Sequence, residues 1–239
     1  MGAVDTDSPR MKYLSTKEGK IECYDNGTRT LHKAWKGYFV GHKYRTPEDG
    51  AKYGTELHIY LAEDSQMCDL GMVLKSGTAR GFMRAIENVN LKQPITFRPW
   101  SYTDETTGKI KTGGLNLEQG GRQVMYKYQD TADGCGDMPL PQTLDNGDGT
   151  SNKNFGAQII FLRNILDTVI GPKVAEIVEM GAFEEEDFSA IKQIAPSLGN
   201  KQLAAHPVNN VSTSVPSTAV VTQHTDGTVP DPEGDDLPF

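Results

Sequence analysis

The chain has 239 residues, with 24 Lys/Arg against 32 Asp/Glu and a formal net charge of −8, and it is long enough for a sizeable domain with its own hydrophobic core. Its AVILMFWYC fraction is 36% and its mean hydropathy −0.51; no run reaches the roughly 18 apolar residues that a membrane-spanning helix needs. The first ten residues lack the basic and apolar regions of a secretory leader, so a cytoplasmic protein with no membrane partner is expected.

Three cysteines, Cys23, Cys68 and Cys135, form an odd set without a CxxC pair and read as free thiols. The five histidines are scattered and show no zinc spacing. No metal and no cofactor are expected. Phosphate-binding, nucleophile-elbow and metalloprotease motifs are also missing from the sequence, which argues against an enzyme.

From about Lys12 to Asp130 the pattern is mainly strands separated by turns. Ile21–Tyr24 and Thr28–His32 flank Asp25-Asn26-Gly27, a hairpin signal. Trp35–Tyr44 is aromatic and glycine-spaced, Leu57, Ile59 and Leu61 alternate with their neighbours, and Met67–Lys75 forms a further strand candidate. Phe82, Met83, Ile86 and Val89 fall at helical spacing, which predicts one amphipathic helix over Ala79–Asn90. In Ile95–Tyr102 successive side chains must point to opposite faces. Ile95 and Phe97 then face a core, Arg98, Trp100 and Tyr102 share the other side, and Pro99 demands an edge or a bulge. Arg122–Tyr128 is the last strand candidate of this region.

Residues 131–154 are dense in Gly, Asp and Pro and read as a loop. Residues 155–198 turn helical: an apolar helix through Val169 should stop at Gly171-Pro172, followed by shorter helices over Lys173–Met180 and Glu184–Ala195. This extension is expected to pack on the core or at the interface of a homo-oligomer. Residues 199–234 show no periodic apolar face and read as a disordered linker.

Charge divides along the same lines. Residues 1–9 carry Asp5 and Asp7, residues 10–128 hold 19 Lys/Arg against 13 Asp/Glu, residues 129–201 hold 5 against 12, and residues 202–239 have 5 acids and no Lys or Arg. A basic front half with an acidic end suggests an anion-binding region and an interaction tail. In the front half, cations are interleaved with aromatics: Lys33, Trp35, Lys36 and Tyr38, then Lys43, Tyr44 and Arg45, then Arg98, Trp100 and Tyr102, then Lys109, Lys111, Arg122, Tyr126 and Lys127. Unpaired bases need planar side chains on which to stack, and their phosphates need Lys and Arg. These fifteen residues are therefore the candidate contacts to single-stranded DNA (ssDNA).

The chain closes on Asp235-Asp236-Leu237-Pro238-Phe239. A C-terminal Phe presents a ring and a carboxylate together, which an apolar pocket beside a cation can capture, and the neighbouring acids speed the encounter. This ending resembles the acidic tip of bacterial and bacteriophage single-stranded DNA-binding proteins. The resemblance implies an oligonucleotide-binding (OB) fold, with residues 10–130 as the ssDNA-binding core. It also implies sequence-independent coating of ssDNA in replication, recombination and repair, and a tip at residues 235–239 that recruits a polymerase, helicase, primase or nuclease. The fold class expected is mainly β, a small antiparallel OB-like barrel with added helices and a disordered acidic tail. Two alternatives remain: an adaptor that binds only proteins, and a metal-dependent nuclease subunit.

Overall fold

The computed structural model describes residues 11–25, 27–46, 54–63, 66–147 and 150–184. By its contacts the chain divides into Met1–Ala204 and Ala205–Phe239, and every described residue lies in the first unit. The segment expected to form a helix after Glu184, the linker and the acidic tip lie outside the described residues.

The described fold is mainly β. Its strands are β1 Met11–Lys17, β2 Lys20–Asp25, β3 Thr28–His32, β4 Trp35–Arg45, β5 Glu56–Glu63, β6 Gln66–Val73, β7 Ile95–Thr103, β8 Ile110–Gln119 and β9 Arg122–Gln123. They form one nine-stranded sheet in the order β3-β2-β1-β6-β5-β4-β7-β8-β9. All neighbours are antiparallel except β1 and β6, which pair in parallel from Met11↔Met67 to Leu14↔Leu70. The expected purely antiparallel barrel is thus corrected to a large mixed sheet, with no closed barrel among the described residues. The sequence carries no local signal for a parallel pair, because its partners meet only through a distant crossover.

Alternation assigns the two faces. Leu14, Ile21, Phe39, Leu57, Ile59, Leu61, Leu70, Phe97, Leu115 and Leu117 point into one buried core, as the period-2 pattern requires. The sheet also bends back on itself. The turn between β1 and β2 meets the β7–β8 hairpin, where the Gly19 N–H donates to Thr112 Oγ1 at 3.0 Å. Gly19 has φ +72°, and a Cβ there would lie 2.6 Å from Ser101 Cβ, so both the turn and the close approach require glycine.

Helix α1, Gly77–Ala85, starts at Ser76, whose hydroxyl accepts the Ala79 N–H at 3.2 Å. A 3₁₀ turn, Ile86–Asn88, continues it, so the expected helix tightens before Asn90. Phe82 enters the core between Phe39, edge-on at 5.5 Å, and Phe97, stacked at 6.2 Å. The loop expected over 131–154 contains a small hairpin, β10 Gln142–Asp145 with β11 Ser151–Asn154. Only exposed polar side chains and one Leu line it, so it has no apolar alternation to betray it. Of the strand expected over Arg122–Tyr128, only β9 forms.

The helical extension corrects another expectation. Gly171-Pro172 does not stop the helix: α2 Gly156–Ile165 runs through a π-helical turn Leu166–Ile170 into α3 Gly171–Met180. The Gly171 N–H reaches Leu166 O, five residues back, and Pro172 sits in the first turn of α3, directly after this π-helical turn. Gly181, at φ 63°, ends α3. Leu162, Leu166, Ile170 and Val174 join the sheet's core, so this extension packs on the domain itself. His42 on β4 and Asp167 bind each other at 2.8 Å across that contact.

On the non-core face, His58 of β5 bridges to Asp69 of β6 at 2.7 Å and to Glu56 at 3.2 Å. Chiefly through the Asp69 hydrogen bond, its pKa is raised above 6.5. A folded pKa above the unfolded one gives stability that is complete below about pH 6.5 and is lost as pH rises through the folded value. The urea midpoint should therefore fall between pH 6 and pH 9, and His58→Gln should flatten that slope. An unchanged slope in the variant would remove His58 as its source.

Candidate nucleic-acid interface

Strand β7 holds the site. Ile95, Phe97 and Pro99 are buried, while Arg98, Trp100 and Tyr102 lie on the opposite, exposed side. Pairing of β7 with β4 covers only Ile95–Phe97, and a bulge follows Trp100, so Pro99 lies where β7 has β8 alone as neighbour and its missing donor costs nothing. At that bulge Trp100 pairs with Gly114 and Ser101 with Thr112, which leaves Gly113 as the extra residue of β8.

The indole rests on those two glycines. A Cβ on Gly113 would come within 2.1 Å of Trp100 Cζ3, and one on Gly114 within 2.7 Å of its Nε1. Any side chain at either position would lift the ring off the backbone. Trp100 is thus supported from beneath and remains 44% exposed. Tyr102, 48% exposed, stands beside it with ring centroids 6.4 Å apart and planes tilted by 49°. Sequence reasoning found both rings but not the glycines; the signal was the Gly113-Gly114 pair in the strand that follows the aromatic one.

The nearest cations are paired. Arg98 Nε and Nη2 donate to the two Glu118 oxygens at 2.6 and 3.0 Å, which holds the Glu118 carboxyl below its usual range. Lys111, opposite Tyr102, binds Asp104 at 2.5 Å. With help from the Thr107 N–H and hydroxyl, this pair lowers Asp104 to about 2. Water screens exposed pairs of this kind, so an arriving phosphate can replace the carboxylate. Lys36, on the same face of neighbouring β4 opposite Thr96, and Lys109, just before β8, are exposed and have no ion pair among the described residues.

Comparison with protein-family models, curated proteins and solved structures finds no match to this chain.

The remaining expected contacts scatter. Lys33, Lys43, Arg45, Arg122 and Lys127 are exposed, Lys43 with its ammonium 5.5 Å from the buried Tyr60 ring. Four aromatics leave the set of open rings. Trp35 is 9% exposed and points to the core side, because it pairs with Phe97. Tyr38 is buried under Phe183, with its hydroxyl donating to Glu184 O at 2.5 Å. Tyr44 lies beneath the Arg163 guanidinium at 4.1 Å, and burial pushes its phenol above the usual range. Tyr126 lies under Arg84 at 4.5 Å. For the three tyrosines the reason is shared: side chains of α1 and α2, or of the chain just after α3, lie against them, and strand alternation says nothing of what will pack on a face. Phe39 and Phe97 are fully buried, as alternation requires.

Among the described residues, no group of three or more His, Cys, Asp or Glu is placed to hold a metal ion, and no helix is long and apolar enough to cross a membrane. All three cysteines are free, and burial pushes the Cys68 thiol up to about 12, far from a reactive thiolate.

Proposed function

We propose that this chain is a non-enzymatic ssDNA-binding protein that coats the strand without sequence preference during replication, recombination and repair, in the cytoplasm or nucleoid of a cell or infected host. One observation carries the proposal: Trp100 lies on the Gly113-Gly114 backbone with its other face open and Tyr102 beside it. Single exposed aromatics are ordinary on a protein surface; what sets Trp100 apart is its seat on the Gly113-Gly114 backbone, because a ring held in this way loses little freedom when a base stacks on it. Every base has a π-face, so recognition by stacking tolerates any sequence.

The OB-like reading is supported by connectivity. A three-strand meander, β4-β5-β6, leads to helix α1 and then to the β7–β8 hairpin, with β7 returning beside β4. The contact of Gly19 with Thr112 brings the other end of the sheet to that hairpin. The strands β1 to β3 are an addition to that plan. Recruitment of a polymerase, helicase, primase or nuclease is proposed for Asp235-Asp236-Leu237-Pro238-Phe239, on the chemistry of apolar Leu and Phe side chains beside acids.

Titration with oligo-dT at several salt concentrations, followed by tryptophan emission, tests the proposal. The expected result is quenching on binding, with log K falling against log salt by about 0.7 for each phosphate contact. No binding at low salt would leave the protein-only adaptor; degradation of the strand on addition of Mg²⁺ would leave the nuclease.

A further inference from the structure

Two tyrosines that the interleaved pattern did not single out stand on the same sheet face as Trp100. Tyr13 on β1 and Tyr24 on β2 are directly paired across the strands and are 58% and 48% exposed. Their neighbours in the ladder set the face. Leu14 and Cys23, next in sequence to each, are paired and buried, so Tyr13 and Tyr24 point away from the core, as Trp100 does from Phe97 and Pro99. Opposite Tyr24 on β3 is Arg29, whose guanidinium lies 5.9 Å from the Tyr24 ring and 3.8 Å from Glu22.

The bend of the sheet joins this patch to the first one. The β1–β2 turn that carries Gly19 sits against Ser101, the residue between Trp100 and Tyr102, and Lys17 and Lys20 pair at the base of that turn. From Lys17↔Lys20 to Tyr13↔Tyr24 is four residues along the ladder, or about 13 Å at 3.3 Å per residue. A path therefore leads from two open rings, past two exposed lysines, to two more open rings and an arginine, all on one face.

We infer that Tyr13, Tyr24 and Arg29 form a second stacking platform for the same single strand, extending its path beyond the β7–β8 hairpin onto the N-terminal strands. This rests on the proposed ssDNA binding. The rings supply sequence-tolerant stacking, and Arg29 exchanges the distant, water-screened Glu22 carboxylate for a phosphate. The path that results is longer than the five-strand plan of β4 to β8 provides.

The test uses the full chain and a dT length series with fluorescent oligonucleotides. With long oligo-dT, Tyr13→Ala/Tyr24→Ala should bind roughly 5- to 150-fold more weakly for each stack lost, with a smaller occluded site size. With oligonucleotides short enough to be held at Trp100 alone, it should bind as the parent does. Tyr13→Phe/Tyr24→Phe should restore long-strand binding, because the ring and not the hydroxyl is used; Arg29→Gln should lower the salt slope by about 0.7. Equal affinity of the parent and the double Ala variant for long strands, while Trp100→Ala is impaired, would overturn this inference and leave the proposed function standing. No binding by the parent would overturn both. Both tyrosines are exposed, so the variants keep the core, and an unchanged unfolding midpoint verifies that.

Discussion

Trp100→Ala is expected to weaken binding to oligo-dT by roughly 5- to 150-fold, the equivalent of the about 1–3 kcal/mol that one base stack contributes, and to abolish the fluorescence response. The response belongs to Trp100 because Trp35, the other tryptophan, is buried against the core and is closed to a base. Trp100→Phe should keep most of the affinity and lose the signal. Gly113→Val supplies the sharper test. The indole is intact in that variant, but the added Cβ would stand 2.1 Å from Cζ3, so the ring must leave its seat. If seating the ring is what matters, Gly113→Val binds as weakly as Trp100→Ala although every aromatic and cation is present. Full affinity in Gly113→Val would show that the glycines serve only the bulge, and full affinity in Trp100→Ala would remove the hairpin from the DNA path.

Phe82→Ala is expected to have the largest effect on stability. The ring is fully buried, held between Phe39 and Phe97, and thus joins α1 to both β4 and β7. Removing it from a close-packed core costs about 3–5 kcal/mol, because transfer and cavity terms add; for a unit of this size that is roughly 6–20 °C in Tm. The neighbours have little freedom to collapse into the space. A Cβ on Gly81 would already lie 2.5 Å from Leu115 O, and one on Gly77 2.1 Å from Gly113 O, so α1 lies directly on the backbone of β8. Urea or thermal unfolding of Phe82→Ala beside the parent checks this; a loss under about 1 kcal/mol would mean that the aromatic contacts do not hold α1 in place. Because Gly113 lies both under α1 and under Trp100, α1 also steadies the stacking platform, and the variant should lose DNA affinity at temperatures where it is still folded.

The strands from Ile21 to Tyr102 are largely legible, because a half-buried strand writes its two faces into alternating residues, whereas β8, Ile110–Gln119, is hidden by its Gly113-Gly114 pair and polar start. The opposed placement of Phe97 and Trp100 follows from spacing alone, as do the antiparallel pairing of β2 with β3 and the helix around Phe82. Local rules failed where an outcome depended on a distant segment. Gly171-Pro172 reads as a stop in any window, yet a π-helical turn let the helix continue because Leu166, Ile170 and Val174 had a sheet to pack against. Tyr38, Tyr44 and Tyr126 carry the same aromatic-cation pattern as Trp100 and Tyr102, but helices or following chain lie over them.

Composition and periodicity establish a mainly β domain with helices, a basic front half and an acidic Phe-terminated end, since each of these is a property of residues near one another in the chain. The pairing of β1 with β6, the bend that seats Gly19 on Ser101 and the choice of which rings stay open depend on contacts between segments tens of residues apart. Those contacts are set by how the sheet twists and what covers it, and no local stretch of residues encodes them. The same bend adds Tyr13 and Tyr24 to the path that begins at Trp100, although neither stands out in the linear pattern.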